Sequence, residues 1–197
     1  MYGIYENGVV IARFTAPLMV RSNRPVLSGD ALSLKRFTSI STAQRWEIEC
    51  GLEPLSLSAG DLMVHLVTKG HSEQFTITFP QNYGVSKATV RGGAPVANGA
   101  INTTYVTVTN HTGTIPSGTF IRFADHSKIY MTTTTLAGEG PVTVFPPLRK
   151  TLGVDMAFNY TNDVYGNFYY DTDVVSGMIY TDGILMDLGT VRLVEAL

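Results

Sequence analysis

The sequence predicts a mainly β protein with one short helix, an α+β chain in which an antiparallel sheet unit carries an inserted small β-barrel or sandwich-like subdomain. Three observations lead to this reading. Between Gly118 and Leu148 the chain reads GTFIRFADHSKIYMTTTTLAGEGPVTVFPPL, three runs rich in β-branched and aromatic residues separated by Gly, Asp and Ser, which is the pattern of hairpin-linked strands. From Gln44 to Cys50 the residues alternate, with Trp46, Ile48 and Cys50 on one face and Arg45, Glu47 and Glu49 on the other, the period of two that a half-buried strand requires. Only one stretch, Ala59 to Lys69, places its apolar residues at helical spacing.

Taken in order, Val9 to Phe14 and Leu18 to Val20 are apolar, β-branched strand candidates. Leu32 to Ile40 and Gln44 to Cys50 are longer runs able to pair, with Ser39 to Thr42 as their connection. Trp46 then serves as a core anchor and Cys50 as a buried apolar thiol. The helix over Ala59 to Lys69 starts on Ser58 as cap with Asp61 near the positive end of its dipole, and stops at Gly70. Leu62, Met63, Leu66 and Val67 share the face that should lie on the sheet, with His65 at its edge. Residues 81 to 101 shift to Gly, Ala, Asn and Val, with turns at Gly92-Gly93-Ala94-Pro95 and Asn98-Gly99 around a short strand at Ala88 to Arg91. Alternation resumes over Asn102 to Thr109. Thr119 to Phe123, Lys128 to Thr135 and Pro141 to Phe145 form a meander whose last strand ends at Phe145, because Pro146 and Pro147 cannot donate to a ladder. Asn159 to Asp173 reads as a loop or projecting hairpin, and Gly177 to Tyr180 and Thr190 to Val194 as closing strands. The organisation expected is an outer unit of residues 1–80 plus 150–197, with residues 81–149 inserted as a β-subdomain.

With 44% hydrophobic and only 15% charged residues among 197, the chain must fold. Its low charge fits a β-rich subunit that buries surface against neighbours. The formal net charge of -2 has no basic run behind it, which argues against a nucleic-acid partner. No signal-like start and no run of about 18 apolar residues is present, so neither export nor membrane insertion is expected. One cysteine, Cys50, leaves no internal disulfide and no cysteine-based zinc site.

No constellation for chemistry emerges. His65, His71, His111 and His126 lack metal-ligand spacing. Asp171-Thr172-Asp173 supplies two carboxylates of a calcium loop before hydrophobic residues intervene. Gly138-Glu139-Gly140 ends in Pro141 and opens no phosphate-binding helix. Glu47 and Glu49 read as a solvated or interface edge. No catalytic residue, metal ligand or cofactor is therefore expected. The strongest candidate for a functional surface is aromatic: Tyr160, Tyr165, Phe168, Tyr169 and Tyr170 lie among Asn, Asp and Gly. Such a run can form a subunit contact, plug a core or offer a platform for sugars.

Two segments also resemble known proteins. Gly118, Phe120, Ile121, Phe123, Lys128, Tyr130, the Gly138 to Gly140 loop and Phe145-Pro146-Pro147-Leu148-Arg149 follow in an order similar to that of small virion structural proteins of tailed bacteriophages. Upstream, Ala43-Gln44-Arg45-Trp46-Glu47-Ile48-Glu49 resembles an early strand of such proteins, and Phe75-Thr76-Ile77-Thr78-Phe79-Pro80 the exit after a short helix. Together the matches span roughly residues 37 to 150. The resemblance implies a non-enzymatic tail or baseplate subunit, made in the bacterial host cytoplasm and incorporated into the virion. It implies a homo-oligomer around the tail axis, in contact with other tail or baseplate proteins but not with nucleic acid or membrane. The arm from Met1 to Ile11 is then free to reach a neighbour. The alternatives are a receptor- or glycan-binding tail-tip module and a head-to-tail connector protein.

Overall fold

A computed structural model describes residues 2–30, 36–40, 43–55, 59–69, 73–81, 96–161, 164–171, 179–181, 184–187 and 189–197. Among the described residues the chain is mostly strand with one helix, and every ladder is antiparallel. Six strands close a first barrel in the order β1 (Gly3–Glu6), β2 (Val9–Asn23), β5 (Arg45–Pro54), β18 (Thr190–Glu195), β15 (Tyr165–Tyr170) and β6 (Phe75–Thr78). β6 pairs back onto β1. A second barrel runs β10 (Phe120–Phe123), β11 (Ile129–Thr132), β13 (Gly140–Phe145), β8 (Tyr105–Thr109), β7 (Val96–Asn98) and β14 (Met156–Asn159). Three two-stranded ladders complete the set: β3 (Val26–Asp30) with β4 (Arg36–Ile40), β9 (Thr114–Ile115) with β12 (Leu136–Ala137), and β16 (Ile179–Thr181) with β17 (Ile184–Asp187).

Both ends of the chain build the first barrel and the middle builds the second. Closure removes the unpaired edges that an open sheet of this length would expose. The strand that closes the second barrel, β14, lies beyond residue 149 and pairs with both β10 and β7. β13 ends at Phe145, where the double proline takes the backbone out of the ladder.

Several local readings change. The N-terminus is no free arm: β1 pairs with β2 and β6, turning at Asn7 (φ 51°) and Gly8 (φ 82°). Two successive positive-φ residues of the type Asn-Gly make the tight hairpin turn favoured by strand twist. Val9 to Phe14 and Leu18 to Val20 are one strand, β2, whose register shifts against β5 between Thr15 and Met19, around Pro17, which has no N–H to give. β4 pairs with β3 rather than with β5, which lies between β2 and β18.

The helix α1 (Ala59–Lys69) carries Asp61 in its first turn and Lys69 in its last. Ser58 and Gly70 lie outside the described residues. Its buried side is Leu62, His65 and Leu66, while Met63 and Val67 are exposed at 43% and 69%. Positions i, i+3 and i+4 set the contact stripe. His65 belongs to it because its ring packs on Phe75 at 4.9 Å and its Nδ1 lies 3.0 Å from Glu6 Oε2. The strand expected at Ala88 to Arg91 and the turn at Gly92 to Pro95 also lie outside the described residues.

Candidate functional site

The aromatic run does not project. β15 is a barrel strand buried at every second residue, and Phe168 and Tyr170 face the first core. Phe168 stacks with Phe79 at 6.0 Å, and Tyr170 lies on Phe75 at 4.5 Å. Tyr160 is buried in the second core, edge-on to His111 at 5.5 Å. Tyr165 is half-buried against Tyr5 at 5.1 Å, and half-buried Tyr169 accepts a 2.8 Å hydrogen bond from Gln74 Nε2. The five residues are thus distributed over two cores and a barrel wall. Asn and Gly next to them signal a loop in the sequence, yet Gly166 has another reason to be glycine. A Cβ there would stand 2.5 Å from Ile129 Cδ1, so its absence lets β11 of the second barrel approach β15 of the first.

That approach belongs to a seam where the barrels meet. Trp46, on β5, is 4% exposed and touches Phe79 of the first core and Phe120 and Phe145 of the second barrel at 6.2, 5.2 and 6.2 Å. Its Nε1–H donates to the Ile129 carbonyl at 2.8 Å. Gln81 spans the same seam: its Nε2 donates to the carbonyls of Phe120 and Tyr160, and its Oε1 accepts from Phe120 N–H at 3.0 Å.

Glu195, near the end of β18, is the ionic centre. Its carboxylate accepts from Trp46 N–H at 2.9 Å, from Ile129 N–H at 2.8 Å and from the ammonium of Lys128. Both side chains of this pair are buried. Burial pushes the Lys128 ammonium below its ordinary range, against the opposing pull of Glu195. A pair so desolvated is sustained by its additional hydrogen bonds, and here two main-chain donors supply them, one from each barrel. Lys128 lies in a stretch the sequence marks as a strand, but its partner Glu195 sits 67 residues beyond it, where no spacing rule points.

Glu47 corrects the expected wet edge of β5: it is 4% exposed. Burial works to raise its pKa, but hydrogen bonds from Asn23 and Arg192 and the nearby Arg45 guanidinium outweigh it, so the carboxyl titrates below its usual range. Glu49 remains at the surface, paired with Arg21 at 2.9 Å. Cys50 is 1% exposed, and burial pushes its thiol up to about 12, which leaves it without thiolate character near neutrality. His65, His111 and His126 are all buried, and in each burial holds the ring below its ordinary pKa. Among the described residues no three His, Cys, Asp or Glu side chains gather to hold a metal ion. His71, Asp163, Asp173 and Asp182 lie outside those residues.

The surface that sequence reasoning missed is the β3–β4 hairpin. Each described side chain on it is exposed, and it carries Val26 at 53%, Leu27 at 76% and Phe37 at 59%. Among the described residues its strands pair with each other and with neither barrel. The signal was present in Pro25-Val26-Leu27-Ser28-Gly29-Asp30, a short apolar run closed by turn residues. Compared with known proteins, the chain matches no family model and no curated sequence. No helix among the described residues is long and apolar enough to cross a membrane.

Proposed function

We propose that the chain is a non-enzymatic structural subunit of a tailed-phage virion, seated in the tail or baseplate and assembling in several copies around the tail axis. The observation that carries this reading is the β3–β4 hairpin, which exposes Val26, Leu27 and Phe37 outside both barrels. Large apolar side chains left on a projecting pair of strands mark a contact surface for protein, and unpaired strand edges add main-chain donors and acceptors to it. Two closed barrels joined by a buried seam give a rigid body on which such a surface can be presented. The resemblance of residues 37–150 to small virion proteins supplies the setting, with copies of the chain and other tail or baseplate proteins as partners.

Antibody-labelled electron microscopy of intact virions tests the placement. Label at a fixed level of the tail or baseplate supports it, and purified particles that lack the protein overturn it. Hydrolysis of peptidoglycan or glycans by the purified chain, abolished by one Asp or Glu substitution, would contradict its non-enzymatic character.

A further inference from the structure

Arg149 closes the motif Phe145-Pro146-Pro147-Leu148-Arg149, and its charge meets no counter-ion among the described residues. One guanidinium N–H donates to the Gln44 carbonyl at 3.1 Å, and no carboxylate among the described residues lies within ion-pair distance. The side chain lines two cavities at the seam. One, of about 330 Å³, is bordered by Asn23, Gln44 and Arg45; the other, of about 150 Å³, by Asp125, His126, Ser127, Lys128 and Lys150. Leu197 borders both.

Lys128 is paired with Glu195, and Lys150 with Asp125 at 3.0 Å, whereas Arg149 has no ion pair among the described residues. A second group there is also unspent. His126 is 5% exposed, and its Nε2 has no hydrogen-bond partner, with Asp125 Oδ1 at 3.6 Å too distant to accept. Tyr130 Oη accepts the main-chain N–H of Arg149 at 3.1 Å and lies 3.0 Å from His126 Nδ1; with the hydroxyl proton placed on that contact, Nε2 carries the ring proton. A buried donor without an acceptor is costly, and one that borders a cavity beside a guanidinium with no ion pair is a group suited to an anion.

We propose that the smaller cavity is an oxyanion site that takes one carboxylate or phosphate group, with Arg149 supplying the charge and His126 Nε2–H a directed hydrogen bond. Its volume suits a single such group, and the Ser127 hydroxyl on its border is a further donor. The cavity reaches the face next to Lys150, whose side chain is 62% exposed, so the anion can come from solution as a phosphate or from a neighbouring copy as an Asp or Glu side chain. The second source rests on the assembly reading above, whereas the site itself does not.

Nuclear magnetic resonance of the imidazole nitrogens at pH 7.5 tests it, with inorganic phosphate and acetate each titrated at constant ionic strength and sodium chloride as the control. The expected result is a saturable shift of the His126 Nε2 resonance with an oxyanion and none with chloride. Arg149→Gln should weaken that binding at least tenfold, and Arg13→Gln, at a residue that pairs with Glu53 and lines neither cavity, should leave it unchanged. Saturation by phosphate but not acetate identifies a phosphate site. Saturation by both, together with loss of self-association on adding phosphate, identifies a neighbour's carboxylate as the occupant. Shifts that are linear, that chloride reproduces, or that persist undiminished in Arg149→Gln overturn the proposal, and the wild-type titration decides even if that variant does not fold.

Discussion

At the seam between the barrels Trp46 is 4% exposed among three aromatic rings, whereas on the β3–β4 hairpin Leu27 is 76% and Phe37 59% exposed. The polar groups differ in the same way. At the seam, Lys128, Glu195 and Gln81 are buried and interlocked across the two barrels. On the hairpin, Arg36 reaches Ser28 Oγ at 3.4 Å, an exposed contact. A buried apolar ring contributes to the stability of the chain that contains it. One that is mostly exposed contributes far less until a second surface covers it. The difference separates residues that hold this subunit together from residues available to join it to others.

The largest effects should come from breaking the seam. Trp46→Ala removes the indole from its three rings and leaves the Ile129 carbonyl without its donor, and a loss of about 3–5 kcal/mol in denaturant unfolding is expected. Lys128→Met leaves the Glu195 carboxylate buried without a counter-charge, a change that costs about 3–5 kcal/mol in comparable pairs. An unchanged unfolding midpoint in either variant would show that the barrels do not depend on one another through these residues.

The aromatic run sharpens the comparison between neighbours in sequence. Tyr170→Ser empties a core position on Phe75 and should cost about 3 kcal/mol. Tyr169→Ser loses a hydrogen bond from Gln74 at the surface and should cost under about 1 kcal/mol. Equal losses would mean that β15 does not have one inner and one outer face.

Acid should weaken the protein through its buried histidines. His65, His111 and His126 are held below their ordinary pKa by burial, so near and below pH 6.5 the unfolded chain binds more protons than the folded one. Stability is then complete above the unfolded value and falls as pH drops through it, by at most about 1.4 kcal/mol per pH unit for each ring. Unfolding midpoints measured from pH 7.5 to 5.5 should decline, and a flat profile would show that the rings are not buried in neutral form.

Much of the fold was legible because its signals are local. The alternation around Trp46 gives β5, the double proline ends β13, and apolar spacing gives α1. What escaped depends on contacts distant in sequence. His65 takes the inner stripe of α1 because Glu6 and Phe75 wait for it, displacing Met63 and Val67, which hydropathy alone would have buried. Glu47 reads as a surface residue until Asn23 and Arg192 close over it. The period of two in β15 was masked by Asn and Gly around it, and the approach of Ile129 and Phe168 explains Gly166. The ring closures that make barrels join the two ends of the chain, and no local pattern records which strand is last.

The smallest effect on stability, and the largest on assembly, should belong to the hairpin. Leu27→Ser with Phe37→Ser should change the unfolding free energy by no more than about 0.5 kcal/mol per site, as exposed positions do. Sedimentation velocity of the purified chain and of this double variant tests the central claim that the seam builds the subunit while the hairpin joins subunits. The account predicts that the wild-type chain associates into multiples of 21.4 kDa, and that the double variant sediments as a folded monomer with an unchanged melting curve. Association of the variant equal to that of the wild type would contradict it.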